Sequence, residues 1–171
     1  MLAPLALAAT VLSACTPAPE PDPTPTAAFA SEAEAFAAAE ETYRAFTVAL
    51  NEIDVSDPAT FERLYALSSG SFEASDRETY SKMHAERYIV TGDTEVISFS
   101  GKSSAFPFES VVADLCIDVS AVEVTDSTGV SQVNPERPDV YALEVTFIMD
   151  SSHQLMIDSA RKIEDESCAS S

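Results

Sequence analysis

The chain has 171 residues, 29 acidic against 9 basic, giving a formal net charge of −20 and a pI near 4.1, with 46% hydrophobic residues and no tryptophan. Length and apolar content suit one domain able to bury a core without a metal or several cross-links. The acidity excludes nucleic acid as a partner, because it repels phosphate backbones instead of releasing their counterions, and it equally opposes docking onto anionic lipid.

Leu2, Leu5, Ala6, Leu7, Ala8, Ala9, Val11 and Leu12 form an apolar run. It is shorter than the about 20 residues needed to span a bilayer core and reads as the core of a signal peptide. The run ends in Leu12-Ser13-Ala14-Cys15, which resembles the lipobox of bacterial lipoproteins. The resemblance implies a signal peptide over residues 1–14, cleavage before Cys15 and a diacylglyceryl group on its sulfur. The protein is then extracytoplasmic and held to the cell membrane by a lipid anchor, since two acyl chains anchor stably where one binds marginally. An ordinary secretory signal, with Cys15 merely retained, is the alternative. Signal peptides open with a basic region, yet no residue before Cys15 is positive, so the translation start is expected upstream of Met1.

Residues 15–30 form a spacer. From Pro17 to Pro25 proline occupies every second position, which fixes φ and removes amide donors, so a semi-rigid polyproline segment is expected. At about 3.1 Å per residue it lifts the domain roughly 30 Å from the bilayer. A docking peptide for a proline-reading module is the other use of such a segment.

Residues 31–171 are expected to fold as one domain. Ser31 is a plausible N-cap, with Glu32 and Glu34 complementing the helix dipole. Phe36, Ala39, Tyr43, Phe46, Leu50 and Ile53 then fall on one helical stripe, while Glu34, Glu41, Arg44 and Thr47 face elsewhere. Asp57-Pro58 restarts the chain as cap and first helical residue, with Phe61, Leu64, Tyr65 and Leu67 as the apolar side of a second helix that Ser68-Ser69-Gly70 ends. Ser75-Asp76-Arg77-Glu78 fits a capping box and predicts a third helix to about Arg87. Beyond Tyr88 the period becomes alternating. Strands are predicted at Ile89 to Thr91, Val96 to Phe99 and Val111 to Val124, then through Tyr141 to Met149 and Leu155 to Ile163. Val111, Ala113, Leu115, Ile117 and Val119 supply an apolar face, and Cys116 stands with Asp114 and Asp118 on the polar one.

Helices followed by an antiparallel meander make an α+β pattern. In this order, with an Ala-rich first helix ending in Val48-Ala49-Leu50-Asn51 and the short Tyr88-Ile89-Val90-Thr91-Gly92 strand, the chain from about Glu32 to Ile163 resembles the NTF2-like (cystatin-like, SnoaL-like) superfamily. The resemblance implies three helices packed on a curved antiparallel sheet of about four strands, shaped as a cone. That superfamily includes isomerases, dehydratases, cyclases, transport factors and accessory domains of cell-wall proteins, so the fold does not choose among activities.

Lipidation of Cys15 leaves Cys116 and Cys168 in a compartment that permits disulfides. Either they pair, pinning the acidic tail against the outside of the sheet, or they remain free thiols. No CxxC or HExxH motif occurs and the two histidines are isolated, so neither a metal nor another cofactor is expected.

His84 lies one helical turn after Tyr80, so the two can face the same way. The resemblance implies that a tyrosine, histidine or aspartate inside the cone performs any acid-base work. A lone His beside Met83 and Tyr80 also fits simple helix packing. His153 falls in a turn, and Tyr43 on the buried stripe serves either as a cavity hydroxyl or as core. Asp54 and Asp57 lack the glycine and distal glutamate of a calcium loop, and Glu164-Asp165-Glu166 reads as a solvated tail. Three readings emerge: a non-catalytic envelope domain binding a small apolar ligand or a neighbouring envelope protein, an enzyme of isomerase or dehydratase type, and a structural accessory domain. The lack of a nucleophile-base or metal constellation in the sequence favours the first and third.

Overall fold

The computed structural model describes residues 27–165 and residue 168. The lipobox, Cys15, Glu166 and the proline-rich part of the spacer lie outside the described residues. Three helices, α1 (Glu32–Asn51), α2 (Phe61–Tyr65) and α3 (Gly70–Glu86), precede six strands: β1 (Ile89–Thr91), β2 (Glu95–Ser103), β3 (Ser110–Asp118), β4 (Glu123–Thr125), β5 (Val140–Met149) and β6 (Leu155–Ile163). The helices pack on a four-stranded antiparallel sheet of order β2-β3-β5-β6, and β1 pairs with β4 in a separate two-stranded sheet.

Helix α1 follows its sequence pattern. Ser31 Oγ accepts from the Glu34 amide at 3.2 Å, satisfying one of the amides that a helix start leaves without a partner. Ala35, Ala39, Tyr43, Phe46 and Ala49 are buried against the sheet, with Phe36, Leu50 and Ile53 packed beside them. Thr47, expected to face solvent, is instead buried, and its hydroxyl donates to the Tyr43 carbonyl at 3.0 Å. The helix runs antiparallel to β2. Glu32 Oε1 accepts from the Ser104 amide at one end, and Asn51 bonds Thr94 at the other. Between them Gly101 lets the Phe36 ring lie on the strand, where a Cβ would stand 2.3 Å from that ring.

The inward faces of β3, β5 and β6 meet α1 through Val111, Ala113, Leu115, Val145, Phe147, Leu155 and Ile157. Phe147 is fully buried at the centre, and its burial alone stabilises the fold by about 1.5 to 3 kcal/mol. Register shifts put an extra residue into β2 at Ile97 and at Lys102, and into β6 at Asp158. Bulges of this kind bend and twist a strand, and here they curve the sheet around the helices. On the outer face Cys116 and Cys168 are joined, with Cα atoms 5.4 Å apart. They form a small cluster with Ala142, Ile97, Val140 and Ile163, so Cys168 is held against the outside of the sheet.

Several expected boundaries are corrected. The Asp57-Pro58 start gives only a 3-10 turn, Pro58–Thr60, before the five-residue α2. Asp57 does cap it, accepting from the Ala59 amide at 3.0 Å. The third helix starts at Gly70, not Ser75. Ser68 and Ser69 are held to β6, the Ser69 amide donating to the Ile157 carbonyl at 2.8 Å. Gly70 at φ +55 then turns the chain directly into the helix. The residue read as a stop is therefore a start, and the capping-box serine sits inside α3. The run from Val111 to Val124 is also broken. Asp118 Oδ1 accepts from the Ser120 amide at 2.7 Å, the chain turns, and β4 leaves to pair with β1 in the register Val90 to Val124.

Candidate functional site

The inward stripe of α3 reads Phe72, Asp76, Tyr80 and Met83, at helical steps of four, four and three. Phe72 and Tyr80 pack on the main core. Phe72 meets the Phe46 ring at 5.3 Å and Tyr80 the Phe61 ring at 5.6 Å. Asp76 thus places a carboxylate on an otherwise apolar stripe. Its Oδ2 is buried without a hydrogen-bond partner, although Arg77 is next in sequence. That guanidinium is engaged elsewhere, 2.7 Å from Glu73 Oε1 and 4.0 Å above the Tyr65 ring.

Burial pushes the Asp76 carboxyl up to about 6, because removing water penalises the charged form. Burial also raises the Tyr43 and Tyr80 phenols, and the nearby Asp76 charge raises both further. Asp76, Tyr43 and Tyr80 therefore form one electrostatic group between α1 and α3. With its raised value the carboxyl can exchange a proton near neutral pH, the range a general acid or base needs.

Beyond Tyr80 the stripe opens into a cleft of about 220 Å3, lined by Leu50, Ile53, Tyr80, Met83, Val90, Val122 and Val124 with Asn51, Gly92 and Thr94. The C-terminal end of α1 forms one wall, α3 a second, and the β1-β4 pair a third. Gly92, at φ +78, is required there: a Cβ would stand 1.9 Å from the Ala121 carbonyl oxygen. The Asn51 side chain and the Thr94 backbone are spent on each other, which leaves the walls mostly apolar. The α1 end and the β1-β4 wall nevertheless carry exposed carboxylates next to lining residues, Glu52, Asp93 and Glu123, whereas α3 carries Lys82 beside Met83. Glu52 is paired with Arg63.

The residues singled out from the sequence separate. Tyr43 is core, 4% exposed, and packs on Phe46 and Phe147. Tyr80 lines the cleft. His84 does not join it: Nδ1 lies 2.8 Å from the Val55 carbonyl oxygen, and the ring faces surface grooves on the other side of α3. His153 sits at φ +65 in the β5-β6 turn, lining a groove with Phe29. Sequence reasoning misses Asp76, because a capping box at Ser75 makes it a first-turn surface acid. The signal is its four-residue spacing from Phe72 and Tyr80, legible only with the helix started at Gly70. Among the described residues no group of three or more His, Cys, Asp or Glu is placed to hold a metal ion.

No protein-family model matches the chain, and a search of curated proteins finds no relative. Solved structures do match in fold. The intermembrane-space region of the chloroplast protein ARC6 superposes with a TM-score of 0.54 at 12% identity, covering 76% of this chain and 97% of that one. A protein from Catenulispora acidiphila superposes with a TM-score of 0.51 at 13% identity, covering 82% of this chain and 98% of that one. These neighbours have SnoaL/NTF2-like folds, so the architecture expected from element order is the one observed. At such identities the likeness carries fold and no activity.

Proposed function

We propose that the protein is a lipid-anchored extracytoplasmic domain that holds a small, uncharged apolar molecule in the cleft between α1, α3 and the β1-β4 pair. The observation that carries this reading is the cleft itself: concave, walled by Leu50, Ile53, Met83, Val90, Val122 and Val124, with the Tyr80 side chain as its one phenol. Its volume, about 220 Å3, lies below the about 300 to 1,000 Å3 of drug-sized sites, which suits a small occupant. The Asp93 and Glu123 carboxylates beside the lining residues disfavour an anion. Anchoring rests on the resemblance of Leu12-Ser13-Ala14-Cys15 to a lipobox and on the proline-rich spacer.

Two experiments test the halves separately. Metabolic labelling with a fatty acid should mark the wild type, and Cys15→Ser should move the protein from the detergent phase to the soluble fraction; an unlabelled wild type contradicts the anchor. Titration with the neutral fluorophore N-phenyl-1-naphthylamine tests the cleft. Saturable binding lost on filling the cleft supports it, whereas no binding leaves the surface to a protein partner and contradicts the small-ligand reading.

A second reading, acid-base catalysis on the cleft's occupant, is favoured by Asp76. An enclosed carboxyl raised to about 6, with an oxygen lacking any partner, costs stability, and groups of that kind concentrate at functional sites. Tyr80 would be the group that meets the occupant, and Asp76, which does not line the cleft, would act through it by raising its proton affinity. Asp76→Asn tests this reading: loss of complementation in a deletion strain, with ligand binding retained, supports catalysis, and full complementation opposes it.

A further inference from the structure

We propose that the cleft opens on the face turned away from the anchoring membrane, so that its apolar ligand arrives through the aqueous phase and is not drawn from the bilayer that holds the protein. This inference rests on the anchored, ligand-binding reading above and adds to it the direction of access.

The chain joins the folded body at one end of the sheet. The Ala28 amide donates to the Pro107 carbonyl in the β2-β3 loop at 2.9 Å, and Phe29 packs on the core. Glu34 Oε2 accepts from the Ala30 amide at 3.0 Å, and Glu32 Oε1 from the Ser104 amide at 3.1 Å. The segment immediately before α1 is thus fixed beside the C-terminal end of β2 and the N-terminal end of β3. The cleft lies at the opposite end. Leu50 and Asn51 close the last turn of α1, Ile53 stands just beyond it, Thr94 precedes β2, and Val122 and Val124 come after β3.

The two ends are separated by the length of α1, which spans 20 residues and so about 30 Å. The attachment is made through the Ala28-Pro107 backbone bond and the bond from the Ser104 amide to the Glu32 carboxylate, so the domain hangs from its β2-β3 end.

The absence of tryptophan allows a direct test on the full lipidated protein. Phe106, 56% exposed in the β2-β3 loop, and Ile89, 54% exposed on β1, mark the two ends. Single variants Phe106→Trp and Ile89→Trp, reconstituted in phosphatidylcholine-phosphatidylglycerol vesicles with dansyl-phosphatidylethanolamine, report the distance of each end from the bilayer by energy transfer. Circular dichroism checks that both are folded. The expected result is transfer several-fold stronger from Phe106→Trp. Equal transfer, or stronger transfer from Ile89→Trp, overturns the orientation while leaving anchor and cleft intact. Failure of the lipid-bearing wild type to bind vesicles overturns the anchoring reading and the orientation together.

Discussion

Asn51 and Thr94 exchange two hydrogen bonds: the Asn51 side-chain amide donates to the Thr94 carbonyl, and the Thr94 backbone amide donates to Asn51 Oδ1, each at 2.9 Å. This reciprocal pair ties the last residue of α1 to the entry of β2 and holds open the angle in which the cleft lies. Thr94 is 9% exposed, so losing its partner leaves an amide and a carbonyl with little access to water. Asn51→Ala is expected to cost about 2 to 4 kcal/mol, as two enclosed backbone groups go unsatisfied. It should also weaken cleft binding more than Arg44→Ala, which removes only an exposed pair with Glu40 worth about 0.3 to 0.5 kcal/mol. Urea denaturation of the two variants checks the difference.

Asp76 gives a pH-dependent prediction. Its folded carboxyl is raised to about 6 from an unfolded value near 4, so the native state binds its proton more tightly than the unfolded chain does. The contribution of this group is most favourable below the unfolded value, is lost as pH rises from about 4 to about 6, and stays lost above. Asp76→Asn should therefore be more stable than wild type at pH 7 to 8, by about 1 to 2 kcal/mol once partial solvent screening is allowed for. The gain should shrink through that window and vanish below about pH 4. Denaturation midpoints across the range provide the check; a variant less stable at pH 8 would mean that the charged carboxylate is compensated.

The glycines at Gly70 and Gly129 both have positive φ, +55 and +85, but differ in what a side chain would meet. A Cβ at Gly70 would lie 2.2 Å from the Asp158 carboxylate, while at Gly129 it meets nothing within 4 Å. Gly129→Ala should cost about 1 kcal/mol, from backbone strain alone. Gly70→Ala should cost more than about 2 kcal/mol, and adding Asp158→Ala should recover part of the loss. Thermal melts of the three variants decide it.

The bridge between Cys116 and Cys168 closes a separation of 52 residues. Its removal as Cys116→Ala with Cys168→Ala should lower stability by up to about 4 kcal/mol in the chain-entropy account. Non-reducing digestion of the native protein should give one linked mass containing both cysteines. Two fully alkylatable thiols would contradict the bridge.

The sequence is most informative where a single face is buried. The stripe from Phe36 to Ile53, the Ser31 cap and the alternation from Val111 to Ile117 name the core and its elements, because helical and strand periods differ enough to be distinguished over those lengths. It misleads where long-range contacts set the outcome. Ser68 and Ser69 resemble a helix terminus until β6 lies beside them, and Gly70 can start a helix only because of that pairing. The same ambiguity hides Asp76 as a half-buried carboxylate. Spacing along α3 places His84 beside Tyr80, whereas in the structure Tyr80 lines the cleft and the Val55 carbonyl draws the imidazole to the other side. The cleft walls at Val90 and Val124 depend on the β1-β4 pairing, which no local pattern announces.

The most direct test of the account is equilibrium titration of the purified lipidated protein with N-phenyl-1-naphthylamine, comparing wild type with Val124→Phe, which adds a ring to the cleft wall, and with His84→Ala, which alters only the opposite side of α3. The expected result is saturable one-site binding to wild type and His84→Ala, reduced at least tenfold in a folded Val124→Phe. Equal binding to all three, or no saturable binding to the folded wild type, would contradict the claim that this cleft receives a small apolar molecule.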